Sequence, residues 1–144
     1  MAIKDIVKGI CNVTRCKYDV YTKEKVDELL AGQIGEVVYE NEKGATETVS
    51  LTKDITNSKK IEITFKDNND LYQPYETRIY SNPFNKSITF SKFVYDADTP
   101  YLANMNYYVS STTIGKQQSK RFYLSDSSTG EDSSITIVKV VSYE

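Results

Sequence analysis

The run Ile135-Thr136-Ile137-Val138-Lys139-Val140-Val141-Ser142-Tyr143 constrains this chain more than any other stretch. Successive side chains of a strand point to opposite faces, so apolar residues at both parities between Ile137 and Val141 make both faces apolar. Such a strand needs cover on each side, which places it centrally in a sheet or at a subunit interface.

Much of the chain before it carries the same kind of signal. From Glu36 onward, short β-type runs alternate with turns rich in Asn, Asp, Ser, Gly and Pro. Val37-Val38-Tyr39 and residues 46–51 flank Asn41-Glu42-Lys43-Gly44, a pattern that predicts a hairpin. Lys60-Ile61-Glu62-Ile63-Thr64-Phe65-Lys66 alternates cleanly, with Ile61, Ile63 and Phe65 on one face. Residues 75–80 and 87–93 form the next strands, the second with Ile88 and Phe90 inward. A long β-rich run over 101–114 and a short one over 121–124 follow. The 125–134 segment is polar throughout and reads as a loop. Regularly spaced short strands predict a mostly β protein whose residues 35–144 form an antiparallel β-sandwich or jelly-roll-like head.

The first 34 residues read differently. In Tyr21-Thr22-Lys23-Glu24-Lys25-Val26-Asp27-Glu28-Leu29-Leu30-Ala31-Gly32, Thr22 is the expected helix N-cap, because its hydroxyl accepts from an orphaned backbone N–H. Tyr21 and Val26 have the spacing of a hydrophobic staple, and Gly32 suits a left-handed helix end. Val26, Leu29 and Leu30 form an i, i+3, i+4 stripe that needs a partner, since a helix under about 12–15 residues is marginal alone. Residues 21–34 are therefore expected to be a trimerisation helix and joint, with copies of the same helix as the partner. Residues 1–20 make a mildly basic arm in which Ile3, Ile6, Val7 and Ile10 have helix-like spacing. An apolar arm too short for its own core is expected to dock on another protein.

Composition narrows the chemistry. Histidine is absent, which removes histidine-based triads, general bases and metal sites together. A formal net charge of −2 argues against electrostatic binding of nucleic acid. The chain holds no run of about 18 apolar residues, so membrane insertion is not expected, and charges interrupt any signal-peptide core near Met1. Folding in a cytoplasm is the expectation. Cys11 and Cys16 lack the further ligands of a zinc site; reduced thiols are favoured over a disulfide.

Asp67-Asn68-Asn69-Asp70 could lend oxygens to calcium, but it lacks the glycine and downstream glutamate of an EF-hand loop and reads first as a turn. Asp96 and Asp98 could pair for glycoside cleavage, yet two acids one residue apart before Pro100 read first as a solvated turn. The hydroxyls of 110–113 and 125–128 have no base to activate them. No enzyme, cofactor or metal is expected. Of the 12 tyrosines, those beside polar turns are the better lead: Tyr72, Tyr75, Tyr95 and Tyr101, with Asp96 and Asp98, could stack on sugars and accept their hydroxyl hydrogen bonds.

The segment from Tyr21 to Ala31 resembles the Y-T/S-K-x-E/x-V-D-x-L-L-A stretch of bacteriophage fibre proteins. Ile61-Glu62-Ile63-Thr64-Phe65-Lys66-Asp67-Asn68 is similar to an I-E-I-x-F/Y-x-D-N strand of their head domains, and the final run is similar to their closing strand, with Ser142 where a glycine is usual. The resemblance implies a homotrimeric virion-surface protein. Its arm would dock on a capsid or tail protein, its helix would bundle, and its β head would contact host-surface glycan. The short chain favours a capsid head fibre; the alternatives are a tail-fibre or baseplate receptor-binding protein and, behind these, a small polysaccharide depolymerase.

Overall fold

The computed structural model describes residues 22–26, 33–94, 99–132 and 134–144. The chain divides into two units, Met1–Leu30 and Ala31–Glu144. In the first, residues 23–26 form a helical turn: the Val26 N–H donates to the Thr22 carbonyl at 3.0 Å, and the Lys25 N–H to Thr22 Oγ1 at 3.2 Å. Thr22 is thus the N-cap that its hydroxyl predicts. Val26 is half-buried. Leu29, Leu30, Tyr21 and Gly32 lie outside the described residues, as do Ile3, Ile6, Val7 and Ile10 in the arm.

The second unit is mostly β. Its strands are β1 (Glu36–Ala45), β2 (Thr48–Ser50), β3 (Lys60–Asp67), β4 (Tyr75–Ser81), β5 (Lys86–Val94), β6 (Tyr101–Val109), β7 (Thr113–Tyr123), β8 (Thr129–Gly130) and β9 (Ile135–Tyr143). They form two antiparallel sheets, one in the order β1-β9-β3-β4 and one in the order β2-β7-β6-β5, with β8 added on β7. The final run is the internal strand β9, between β1 and β3.

Its double-faced apolarity has a specific cause. Phe65 pairs with Ile137 and Thr64 with Lys139, so Val138 is an extra residue in the ladder. The bulge shifts the parity. Ile135, Ile137, Val140 and Ser142 consequently share the inner face with Phe65, Ile63 and Ile61.

Both sheets contribute to one hydrophobic cluster. Ile61, Ile63 and Phe65 of β3 enter it on alternate positions, as their spacing predicts. The Phe65 ring stacks on Phe90 of β5 at 4.1 Å between centroids and tilts against Tyr107 of β6 at 5.8 Å. Between β4 and β5, the Tyr80 hydroxyl donates to the Thr89 carbonyl at 3.0 Å.

Two expected features differ. The hairpin across Asn41–Gly44 does not form: β1 leaves the ladder after Glu40 and rejoins β9 at Ala45, and β2 crosses to the other sheet to pair with β7. The carbonyl of Val38, at β1's first irregularity, accepts from the Thr52 N–H at 2.8 Å and hydroxyl at 3.0 Å, which ties the chain after β2 to β1. The long 101–114 strand is also broken, because Ser110 and Thr113 close a turn: the Ser110 N–H donates to the Thr113 carbonyl at 2.9 Å and the Thr113 N–H to Ser110 Oγ at 3.0 Å. The chain then returns as β7 through polar residues 115–120, extended because β6 pairs along them.

Candidate functional site

β3 ends, and β9 begins, at the end of the β unit away from Gly35. The Asp67–Asp70 turn sits there, and its carboxylates build it. Asp67 Oδ1 accepts from the Asn69 N–H at 2.9 Å, and Asp70 Oδ1 from the Tyr72 and Gln73 N–H groups at 3.0 and 2.9 Å. Both are the Asx-type contacts that make Asp a turn former. The Asp67 N–H closes the excursion on the Pro74 carbonyl at 2.7 Å. Asn68 ties it sideways, donating from its backbone at 3.0 Å and its side chain at 2.8 Å to the Ser134 carbonyl.

Lys92 clamps this turn from below. It lies on β5 in phase with the inward Ile88, Phe90 and Val94 and its side chain is only 11% exposed. Its Nζ donates to Asp70 Oδ2 at 2.7 Å and to the Gln73 carbonyl at 2.8 Å, and stands 3.8 Å from Asp67 Oδ2. Asp67 is buried, and its Oδ2 has no hydrogen-bond partner among the described residues, so Lys92 is the cation that balances it. The Gln73 N–H, then Lys92, hold the Asp70 carboxyl down at about 2.

A second polar cluster adjoins. Arg121 of β7 pairs with the buried Asp132 at 3.3 Å, and Asp132 Oδ1 accepts from the Ser134 N–H and hydroxyl at 2.8 and 2.6 Å. The Arg121 guanidinium lies 4.8 Å from the centre of the Tyr101 ring.

Of the tyrosines singled out from the sequence, Tyr72 stands on the turn with 94% of its surface exposed, beside exposed Leu71. Tyr75 opens β4, also exposed, with Lys66 Nζ at 5.8 Å from its ring. Tyr101 corrects the expectation. It is 2% exposed, its ring packs against Tyr123 at 5.8 Å, and its hydroxyl accepts from Asn69 Nδ2 at 3.3 Å. Its phase on β6 points it into the core, so it supports the turn rather than facing a ligand. Tyr95, Asp96 and Asp98 lie outside the described residues.

The arrangement presents and holds. Among the described residues, no group of three or more Cys, Asp or Glu side chains is placed to hold a metal ion. The Ser110 and Thr113 hydroxyls bond each other at 2.7 Å within their turn. Lys92, Arg121 and Asp132 were not singled out from the sequence. For Lys92 a signal existed, since a charge in core phase on β5 calls for a buried counter-charge, and Asp67 continues the apolar phase of β3. A separate cavity of about 270 Å³ lies at the other end, between Asn57, Lys59, Asn82, Phe84 and Lys86, and contains none of the expected site residues. Comparison with protein-family models, curated proteins and solved structures finds no match to this chain.

Proposed function

We propose that this chain is a homotrimeric fibre protein on the surface of a bacteriophage particle. Residues 1–20 attach it to a capsid or tail protein, Val26, Leu29 and Leu30 bundle between copies, and the β unit is displayed for adhesion to host-surface glycan. In this reading the two sheets form a sandwich. Its nesting is jelly-roll-like, because first strand pairs with last (β1 with β9) and β2 pairs with β7, while β5, β6 and β7 make a plain meander.

The observation that carries the reading is the nearly fully exposed Tyr72, held on a clamped turn at the end opposite Gly35. An aromatic side chain in a fixed turn offers contact area at small entropic cost, as adhesive surfaces require. The resemblance of residues 21–31 and 61–68 to phage fibre segments supports the same reading.

Mass spectrometry of purified particles is the first test: the protein is expected in them, and its absence overturns the reading. Deleting residues 1–20 is expected to leave a soluble trimer that no longer joins particles; normal incorporation would overturn the anchoring role. Tyr72→Ala should weaken cell adhesion by roughly tenfold with an unchanged unfolding midpoint, and full adhesion by that variant removes Tyr72 from the surface used.

A further inference from the structure

The outward face of the β5-β6-β7 sheet carries one apolar row followed by polar ones. Phe93 pairs with Leu102, and Leu102 with Phe122, so the three form one row across three strands, all at least a third exposed, with exposed Leu124 beyond Phe122. The next rows are amides and hydroxyls: Ser91 with Asn104, then Thr89 with Asn106 and Gln118. These polar groups bond each other. Asn104 Nδ2 donates to Ser91 Oγ at 3.2 Å, Thr89 Oγ1 to Asn106 Oδ1 at 2.8 Å, and Asn106 Nδ2 to Gln118 Oε1 at 3.4 Å. Further along, Ser87 Oγ donates to Gln117 Oε1 at 3.2 Å, and the Tyr108 hydroxyl to Asn85 Oδ1. Across these rows Lys120, opposite Asn104, is the one formal charge.

The outward face of the other sheet also exposes apolar side chains, Val37, Tyr75 and Ile79, but sets several charges among them. Lys60, Glu62 and Lys66 on β3, Lys139 on β9 and Glu40 on β1 all point out, with Lys139 pairing Glu40 at 3.1 Å and Lys60 near Glu62 at 3.6 Å.

We infer that the outward face of β5, β6 and β7 is where copies of this chain meet, around an axis running past the row Phe93–Leu102–Phe122. The inference rests on the homotrimer reading and assigns its interface. Close to a symmetry axis a residue meets its own copies, so every charge there opposes a like charge. A face with one charge in its rows escapes that penalty, and a face with five does not. The internal bonding of the polar rows favours a protein over a carbohydrate occupant. Each of these bonds engages part of an amide's or hydroxyl's capacity, which lowers the desolvation cost of burying the face and leaves fewer groups for sugar hydroxyls. The apolar row supplies the burial that drives the contact.

The test compares the full chain with Leu102→Lys/Phe122→Lys on this face and Ile79→Lys on the other, by light scattering and analytical ultracentrifugation. The expected result is a trimeric wild type, a trimeric Ile79→Lys variant, and a double variant whose half-assembly concentration rises at least a hundredfold. A double variant that stays as trimeric as wild type overturns the interface while leaving the trimer reading standing; a wild type monomeric at every concentration overturns both. Hydroxyl-radical footprinting of the wild type needs no variant to fold. Scaled by intrinsic reactivity and calibrated on Tyr72, Leu102 and Phe122 are expected to label well below the rate that their 37% and 38% exposure in the single chain gives, and labelling at that rate overturns the interface. Protection that appears only on adding host polysaccharide assigns the face to carbohydrate and overturns it too.

Discussion

Replacing Lys92 with Met removes one charge and keeps most of the aliphatic stem, so it isolates the electrostatic part of the clamp. Three contacts end at Nζ: Asp70 Oδ2 at 2.7 Å, the Gln73 carbonyl at 2.8 Å and Asp67 Oδ2 at 3.8 Å. Hydrogen bonds involving a charged group contribute about 1.5–3 kcal/mol each. Breaking a buried ion pair by removing one partner costs about 3–5 kcal/mol, because the survivor is left uncompensated. Asp67, with its side chain 1% exposed, is such a survivor. Asp70, less buried, can rehydrate, so the expected loss lies near the lower bound, about 3 kcal/mol. Urea unfolding followed by circular dichroism at pH 7 measures it.

Adding Asp67→Asn to Lys92→Met should recover part of the loss, since the stranded charge is gone. Acid titration supplies a second readout. The folded Asp70 carboxyl sits at about 2 against an ordinary 3.8, so it contributes stability above the ordinary value that is lost as pH falls from about 4 through about 2. Lys92→Met should flatten that acid limb without abolishing it, because the Gln73 N–H is the larger cause of the shift. A loss below 1 kcal/mol at pH 7, with an unchanged acid limb, would refute the clamp.

Gly44→Ala should destabilise by about 1–3 kcal/mol, since φ is +74° there and a Cβ would meet the Thr136 side chain; an unchanged thermal midpoint counts against it. Tyr107→Phe should be neutral or raise stability by about 1 kcal/mol, because the buried Tyr107 hydroxyl has no hydrogen-bond partner among the described residues; a loss above 1 kcal/mol in denaturant unfolding would reveal a bond that hydroxyl makes. Deleting Val138 closes the bulge, leaving Ile137 and Val140 inward, and should cost about 1–2 kcal/mol for the lost buried Val. If the deletion abolishes cooperative unfolding, the bulge is required rather than accommodated.

The β3 strand was legible because its side-chain period is local information. Ile61, Ile63 and Phe65 declare their face with no knowledge of what pairs beside them. The central place of β9 was legible too, but a bulge at Val138 produces part of the double-faced pattern, and alternation alone does not distinguish the two. The failures lie where pairing is non-local. Asn41-Glu42-Lys43-Gly44 carries hairpin chemistry, and Gly44 does adopt a positive φ, yet β1's partner is β9 at the far end of the chain. Residues 115–120 have little β propensity and become strand because β6 pairs along them, with β2 and β8 taking either end of β7's other edge. In the site, turn residues announced the exposed Tyr72 and could not announce which tyrosine the turn rests on. Tyr101's burial follows from its phase on β6, fixed only once Val94 pairs with it.

The two buried carboxylates explain why this end of the unit can display aromatic and aliphatic side chains without dissolving into the core. Leu71 and Tyr72 are apolar enough to fold inward if the turn were slack, and both are held outward. What lies beneath them is polar: Asp67, Lys92 and the Tyr101 hydroxyl, with Arg121 and Asp132 beyond. Burying an apolar side chain there would strip those groups of partners, at about 1–3 kcal/mol for each one left unsatisfied, and over several groups the sum exceeds the ~1.5–3 kcal/mol gained by covering one large apolar side chain. A polar floor under an apolar tip therefore fixes the tip outward twice over, through the bonds that shape the turn and through the cost of collapsing onto it. This separates Tyr72 from a loosely exposed loop residue. Its exposure is enforced and its backbone is held, so whatever meets the turn has only the two side-chain torsions of the tyrosine left to order.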